Sequence, residues 1–419
     1  MKKLSLIAIA ALIGSSAWGL EFQTLGYKSI SMGGAGVASS SGSLATYNNP
    51  ALLAKPDSQG EFSIGVGASV HDHGVGDSFK KLDDSGFLTT IDKANTNVAS
   101  LTTADKTNLI AGKDIILGMN GNSLEVSPQA ELASKIGNIG FGVFVSSDVA
   151  ATAVVDQTHS RLIFNNSGTY TELNNDGTTS LSNVSNYTNY SMEYAINNGL
   201  TYVEVKGIAI GEVPLAYGYD IHWNCGDLMI GGAVKYMYGY TYSQQYKIDN
   251  TGSTSSSTKQ DKQTAAGGVD LGLAYQPMDV PGLTLGVVGK NLNTPEFKFV
   301  DGTKLKVDPM VRAGFAYDIL DSLELAVDVD LTKNKTLVTG VDSQMVGGGL
   351  NWHSDTWFSM RVGAMQNLDS NDDAGVVYTA GLGLGPLDIS GQMTTKQSAI
   401  NGVTVPAYAK INVALVMRW

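Results

Sequence analysis

The chain has 419 residues, a formal net charge of −12, a pI near 4.8 and one cysteine, Cys225. A single cysteine excludes an intramolecular disulfide, a CxxC redox pair and a cysteine-held zinc ion, and dispersed basic residues speak against a nucleic-acid partner. Mean hydropathy is −0.01 with 49 glycines and 18 tyrosines, yet past residue 19 no apolar run reaches the roughly 20 residues of a helical span. That composition fits a β-barrel in a membrane.

Residues 1–19 read as a secretory signal: Lys2 and Lys3, an apolar stretch from Leu4 to Ile13, and a small-x-small cleavage site at Ala17-Trp18-Gly19. Residues 20–60 are rich in Gly, Ala and Pro and show no strand alternation. Such a segment suits a confined space, and it is expected to plug a barrel formed by residues 61–419. Period two begins at Phe62, Ile64, Val66, Ala68 and Val70, which a strand turns to one face. His71 and His73 end this run. With Asp72 on the opposite face and no third histidine near, they read as a surface pair and no metal site is expected.

Segment 71–122 breaks the rhythm. Phe79, Leu82, Leu88 and Ile91 lie roughly at helical spacing, so a partly helical insertion is expected. Alternation marks strands near 61–70, 123–134, 138–149, 208–222, 227–246, 264–277, 283–293, 306–319, 323–334, 345–354, 357–368, 376–386, 387–396 and 408–419. The expected fold is all-β: a closed antiparallel transmembrane barrel of about fourteen strands, an even number as bacterial barrels have. Residues 159–203 could add a pair. Tight turns at 135–138, 320–322 and 354–356 contrast with long polar loops at 165–189, 247–263, 333–344 and 369–375. Cys225 is expected to be a small buried side chain.

Opposite the apolar face lie Lys235, Asp270, Arg312, Glu324, Asp328, Asp330 and Arg361. Inside a barrel these are expected to neutralise one another across neighbouring strands, not to catalyse. Tyr217, Tyr219, Trp223, Tyr236, Tyr238, Tyr240, Tyr242, Trp352 and Trp357 supply aromatic girdles. In the last strand Ile411, Val413, Leu415, Met417 and Trp419 share one face, and this aromatic-terminated strand resembles the signal read by the barrel-assembly machinery of the outer membrane.

Other chemistries lack their parts. Met32 to Gly36 is followed by no Lys-Ser or Lys-Thr, so it is no phosphate loop. Residues 369–375 lack the glycine and glutamate of a calcium loop. Five scattered histidines offer no hydrolase constellation. Neither enzymatic activity nor a cofactor is expected.

Two stretches carry a family resemblance. Ser31-Met32-Gly33-Gly34-Ala35-Gly36-Val37-Ala38, then Tyr47-Asn48-Asn49-Pro50-Ala51-Leu52-Leu53, resemble the opening of FadL-type outer-membrane transport proteins. The segments Glu212–Tyr217, Gly286–Asn293, Arg312–Phe315 and Asp328–Thr332 resemble TraF-like conjugal-transfer proteins. The resemblance implies an N-terminal plug carrying Gly33, Gly34, Gly36, Asn49, Pro50 and Ala51 inside a fourteen-stranded barrel. It implies passive transport of small hydrophobic molecules: capture by outer loops, an apolar pocket beside the plug, and release when the plug or a strand kink opens. Outer-membrane lipid and lipopolysaccharide would be its surroundings. A structural or assembly role in a conjugation or secretion apparatus is the alternative.

Overall fold

The computed structural model describes residues 23–56, 60–248, 254–256, 260–300, 302, 304–336, 342–354, 357–370, 372, 374–400 and 403–419. The expected export signal, with Ala17 and Gly19, and the side chain of Leu88 lie outside the described residues.

Alternation does the work expected of it in β1 (Gly60–His73). Ile64, Val66 and Val70 turn outward and are exposed, while Glu61 and Ser63 turn inward and are buried. The same division repeats in β2 (Ser123–Ile136), β3 (Ile139–Val154), β4 (Tyr202–Trp223), β5 (Gly226–Ile248), β6 (Gln260–Pro277) and β7 (Leu283–Lys290). It continues through β8 (Met310–Leu320), β9 (Leu323–Asp330), β10 (Met345–His353), β11 (Phe358–Asn367), β12 (Val376–Leu384), β13 (Leu387–Thr394) and β14 (Tyr408–Arg418). Each strand pairs antiparallel with the next, and β14 pairs with β1 from Glu61↔Arg418 to His71↔Tyr408. The sheet is a closed fourteen-stranded barrel without a free edge, the form that satisfies every backbone group in lipid. A three-residue strand, Thr254–Ser256, adds to one end of β5.

The outer wall is apolar, so this fold turns a soluble protein inside out. Among the described residues no helix is long and apolar enough to cross a membrane; the strands do so. At one rim the connections are short, at 137–138, 224–225, 278–282, 321–322, 354–357 and 385–386. Exposed Trp223, Trp352, Trp357 and Trp419 stand at this rim, where amphipathic rings meet headgroups. Cys225 occupies the two-residue turn between β4 and β5 and is exposed. The buried position expected for it fails because a turn offers no inner face.

Long connections gather at the other rim. The insertion after β1 holds α3 (Val75–Asp84), α4 (Phe87–Thr96) and α5 (Thr103–Gly118). Leu82, Phe87, Val98, Leu101 and Leu109 from it share a core with Leu162, Phe164 and Leu173. Residues 159–203 therefore add no further pair of wall strands, Tyr202 and Val203 being the start of β4. They form a separate sheet of Leu162–Asn166, Thr169–Leu173 and Thr179–Leu181, segments well short of the ~9–11 residues needed to span, followed by α6 (Val184–Tyr190) and α7 (Met192–Asn197). The helices α1 (Tyr27–Ser31) and α2 (Ala45–Asn48) precede the barrel and lie within it.

Candidate functional site: the lumen and its N-terminal segment

Residues 23–56 pack against the inner wall, and glycines on both sides let the two backbones meet. Gly33, at φ +64°, donates its N–H to Thr379 Oγ1 at 3.0 Å. A Cβ on Gly347 would fall 2.1 Å from the Gly33 carbonyl, and one on Gly349 would fall 2.8 Å from Met32 Cα. A second seat lies under the turn Pro50–Ala54. Gly218, Gly231 and Gly272 align in one row across β4, β5 and β6. A Cβ on Gly231 would lie 2.3 Å from both Ala51 N and Pro50 C. Asn49 starts this turn, its Oδ1 accepting from Ala51 N at 3.1 Å while its Nδ2 donates to Val37 O at 2.8 Å and Leu273 O at 3.1 Å. A side chain that caps a helical turn thus also ties the segment to β6.

Charge fastens the remainder. Asp328 Oδ2 accepts from Gly36 N at 2.8 Å and Val37 N at 2.9 Å. Lys28 reaches Glu324 at 2.6 Å, and Lys410 donates to Thr24 O at 3.0 Å. Glu61 accepts from Ser43 N at 2.8 Å and from Arg418 Nε at 2.7 Å. On the wall itself Arg312 pairs with Asp330 at 2.6 Å, Lys235 with Glu212 at 2.9 Å and Asp270 at 3.1 Å, and Arg361 with Asp388. Removing one partner of such a buried pair costs roughly 3–5 kcal/mol because the other charge stays uncompensated.

The lumen is chemically uneven. At the short-turn rim a cavity of about 750 Å³ is polar, bordered by Lys28, Glu61, Glu324, Arg361, Asp388 and Arg418. Beyond the segment, toward the long loops, the β4–β8 side of the inner wall carries an apolar cluster. Ile208, Ile210, Met237, Val288 and Met310 surround Phe297, which descends from the hairpin Glu296–Lys298/Lys304–Lys306 and is fully buried. Val37 of the N-terminal segment is the floor of this cluster.

A profile of the family described as "F plasmid transfer operon, TraF, protein" matches residues 46–330, more than half of the chain. The chain belongs to this family. No curated protein sequence matches it. Among solved structures, the Ralstonia pickettii toluene transporter TbuX is similar over 95% of this chain and 99% of that one, at 13% identity and TM-score 0.52. The P. putida toluene transporter TodX is similar over 95% and 99%, at 11% identity and TM-score 0.50. A Pseudomonas aeruginosa FadL homologue is similar over 96% and 100%, at 11% identity and TM-score 0.46. The TraF-family chain thus shares the barrel fold of the two toluene transporters.

In this TraF-family barrel the seven charges on the non-apolar face all lie in the lumen, buried. Lys235–Asp270 and Arg312–Asp330 join neighbouring strands, whereas Arg361 reaches past β12 to Asp388 on β13. Glu324 and Asp328 face the N-terminal segment instead, engaging Lys28 and the Gly36 and Val37 amides. Ile411, Val413, Leu415, Met417 and Trp419 are exposed on the lipid face of β14, and Trp419 exchanges backbone hydrogen bonds with Gly60 at 3.1 and 3.2 Å. Sequence reasoning passed over Glu61, Glu212 and Asp388, and the seat glycines of β4–β6 and β10. Period two could have found the acids; nothing local reveals which glycines meet the segment. It also misplaced His71 and His73, which occupy the inward positions of β1 and are half-buried in the lumen.

Proposed function

We propose that this TraF-family barrel is a passive channel of the outer membrane that admits small hydrophobic molecules, with residues 20–60 as its plug and residues 1–19 as its export signal. One observation carries the reading: toward the long loops, the β4–β8 side of the lumen holds an apolar cluster around Phe297. A channel for hydrophilic solutes has a polar interior, so this wall suits an apolar cargo. The toluene transporters that share the fold support the same substrate class. A molecule caught among the outer loops displaces Phe297 and rests on Val37. It leaves either past a shifted plug or through the wall beside β3. There the β2–β3 pairing skips from Val126↔Val149 to Gln129↔Ser146, and the β3–β4 pairing from Phe141↔Leu215 to Phe144↔Glu212. Pro128 and Pro214 fall in these gaps, and a proline has no N–H to give a ladder. Lipid and lipopolysaccharide surround the apolar band, and the barrel-assembly machinery reads β14.

The test is uptake of radiolabelled toluene at limiting concentration by cells with and without the protein. Uptake depends on the protein, and Phe297→Ala raises it, because a dry apolar cavity takes up small aromatics. Equal rates in both strains would remove the transport reading.

A second reading, a structural component of a conjugation or secretion apparatus, is favoured by the ion-paired fastening of the segment and by the family's description. It requires DNA transfer or secretion to fail on deletion while toluene uptake is unchanged.

A further inference from the structure

His71 and His73 occupy successive lumenal positions at the outer end of β1. Antiparallel β2 places Glu125 directly opposite His71 and diagonal to His73, so all three side chains share one small area of the inner wall. The two imidazole centroids are 3.7 Å apart, and His73 Nε2 lies 3.5 Å from Glu125 Oε2. One ligand atom from each residue lies within 4.8 Å of the other two. The Tyr408 ring stands edge-on to His71 at 5.5 Å and narrows access from the β14 side. The chain's other histidines, His159, His222 and His353, lie elsewhere.

We infer that His71, His73 and Glu125 form a binding site for a divalent transition-metal ion of the zinc class. Two imidazoles and one carboxylate are a donor set that holds zinc with a fourth position left open. Metal–ligand bonds of about 2.0–2.2 Å set tetrahedral donor atoms about 3.3 Å apart. Side-chain rotation alone closes the remaining distance, because the strand register already brings the three together. A simple ion pair of His73 with Glu125 explains less. A metal ion takes both imidazoles, in their neutral form, together with the carboxylate.

The site also has a position that gives binding a consequence. β1 leads through Gly74 into α3, and Asn122 leads into β2, so the ligands stand on the two stems of the helical insertion. Asp72, on the opposite face of β1, accepts from Val75 N at 2.8 Å, and Asn122 Nδ2 donates to Gly74 O at 3.0 Å. A metal ion on the lumenal face staples the same two stems from the other side.

The experiment uses the untagged barrel in detergent, stripped of metal and titrated with Zn²⁺ by calorimetry, and with Co²⁺ by visible absorption. Zn²⁺ binds at one equivalent per chain, and His73→Ala and Glu125→Gln each weaken it about tenfold or more, at least about 1.4 kcal/mol. Heat-modifiable gel migration identifies variants that still form the barrel; Glu125→Gln, nearly isosteric, keeps the test usable if a histidine variant does not. His222, exposed beside Asp220 and Asp227 at the opposite rim, is the competing site. His222→Ala leaves the affinity unchanged if the inference holds. Absence of a stoichiometric site, unchanged affinity in both ligand variants, or loss of binding in His222→Ala would each overturn it. Bound Zn²⁺ also slows proteolysis within residues 74–122 in the parent and not in His73→Ala; equal cleavage with and without Zn²⁺ would refute the staple.

Discussion

Gly231→Ala tests whether the N-terminal segment or the barrel wall yields when the two are pushed apart. The new methyl would sit 2.3 Å from Ala51 N and Pro50 C, where nonbonded carbon contacts need about 3.5–4.0 Å. Gly231 lies outside the left-handed region and its neighbours in the row, Gly218 and Gly272, keep their ladder. The wall therefore accepts the methyl without backbone strain, and the turn Pro50–Ala54 must retreat by about 1 Å or more. Overpacking of this kind costs about 1–3 kcal/mol. Applied to the seated state alone, that raises the population of the displaced segment about 5–150-fold. The assay is single-channel conductance in planar bilayers, with heat-modifiable migration as the check on the wall. Gly231→Ala opens far more often than the parent and migrates identically. Gly232→Ala is the control: it lies on the opposite face, and its methyl would meet only Leu271 Cδ2 at 3.4 Å and Asp270 O at 3.7 Å. Equal opening in the two variants, or loss of the folded barrel in Gly231→Ala alone, would show that the methyl does not act on the seated segment.

Two further outcomes follow from the ends of the barrel. Deleting Trp419 removes the backbone exchange with Gly60 that completes the β14–β1 seam, so it lowers the membrane-inserted fraction well below that of Trp357→Ala, measured by protease protection in whole cells. At the other rim, hydrogen bonds from Lys93 and then Thr102 lower the Asp105 carboxyl from 3.8 to about 2, and Asp105 closes the capping box of α5. A depressed carboxylate stabilises the fold above its unfolded value and loses that contribution as pH falls through the folded one. Pepsin cleavage within α5 therefore accelerates as pH drops from about 4 to about 2. Asp105→Asn, which has no carboxylate to protonate, shows a flatter response; identical profiles would contradict the assignment.

The wall was legible because a strand in lipid sorts its residues by a single rule. Ile64, Val66 and Val70 against Glu61 and Ser63, or Ile411, Val413 and Leu415 against Lys410 and Asn412, declare two faces from spacing alone, and the even strand count follows from closure. Asn49-Pro50-Ala51 stood out only through the family resemblance; that Asn49 caps the turn Pro50–Ala54 came from the structure. What the tertiary structure alone decided is which groups meet across the lumen. Asp328 lies 292 positions along the chain from the Gly36 amide it holds, and no periodicity encodes that pairing. The same distance in sequence hid the glycine seats, because a glycine's meaning there comes from the backbone pressed against it. Face assignment at the end of β1 also needed the closed register: only with β2 in place do His71, His73 and Glu125 become neighbours inside the barrel. Local chemistry thus determined the barrel and its sidedness, while the contents of the lumen depended on contacts that exist only once fourteen strands have closed around it.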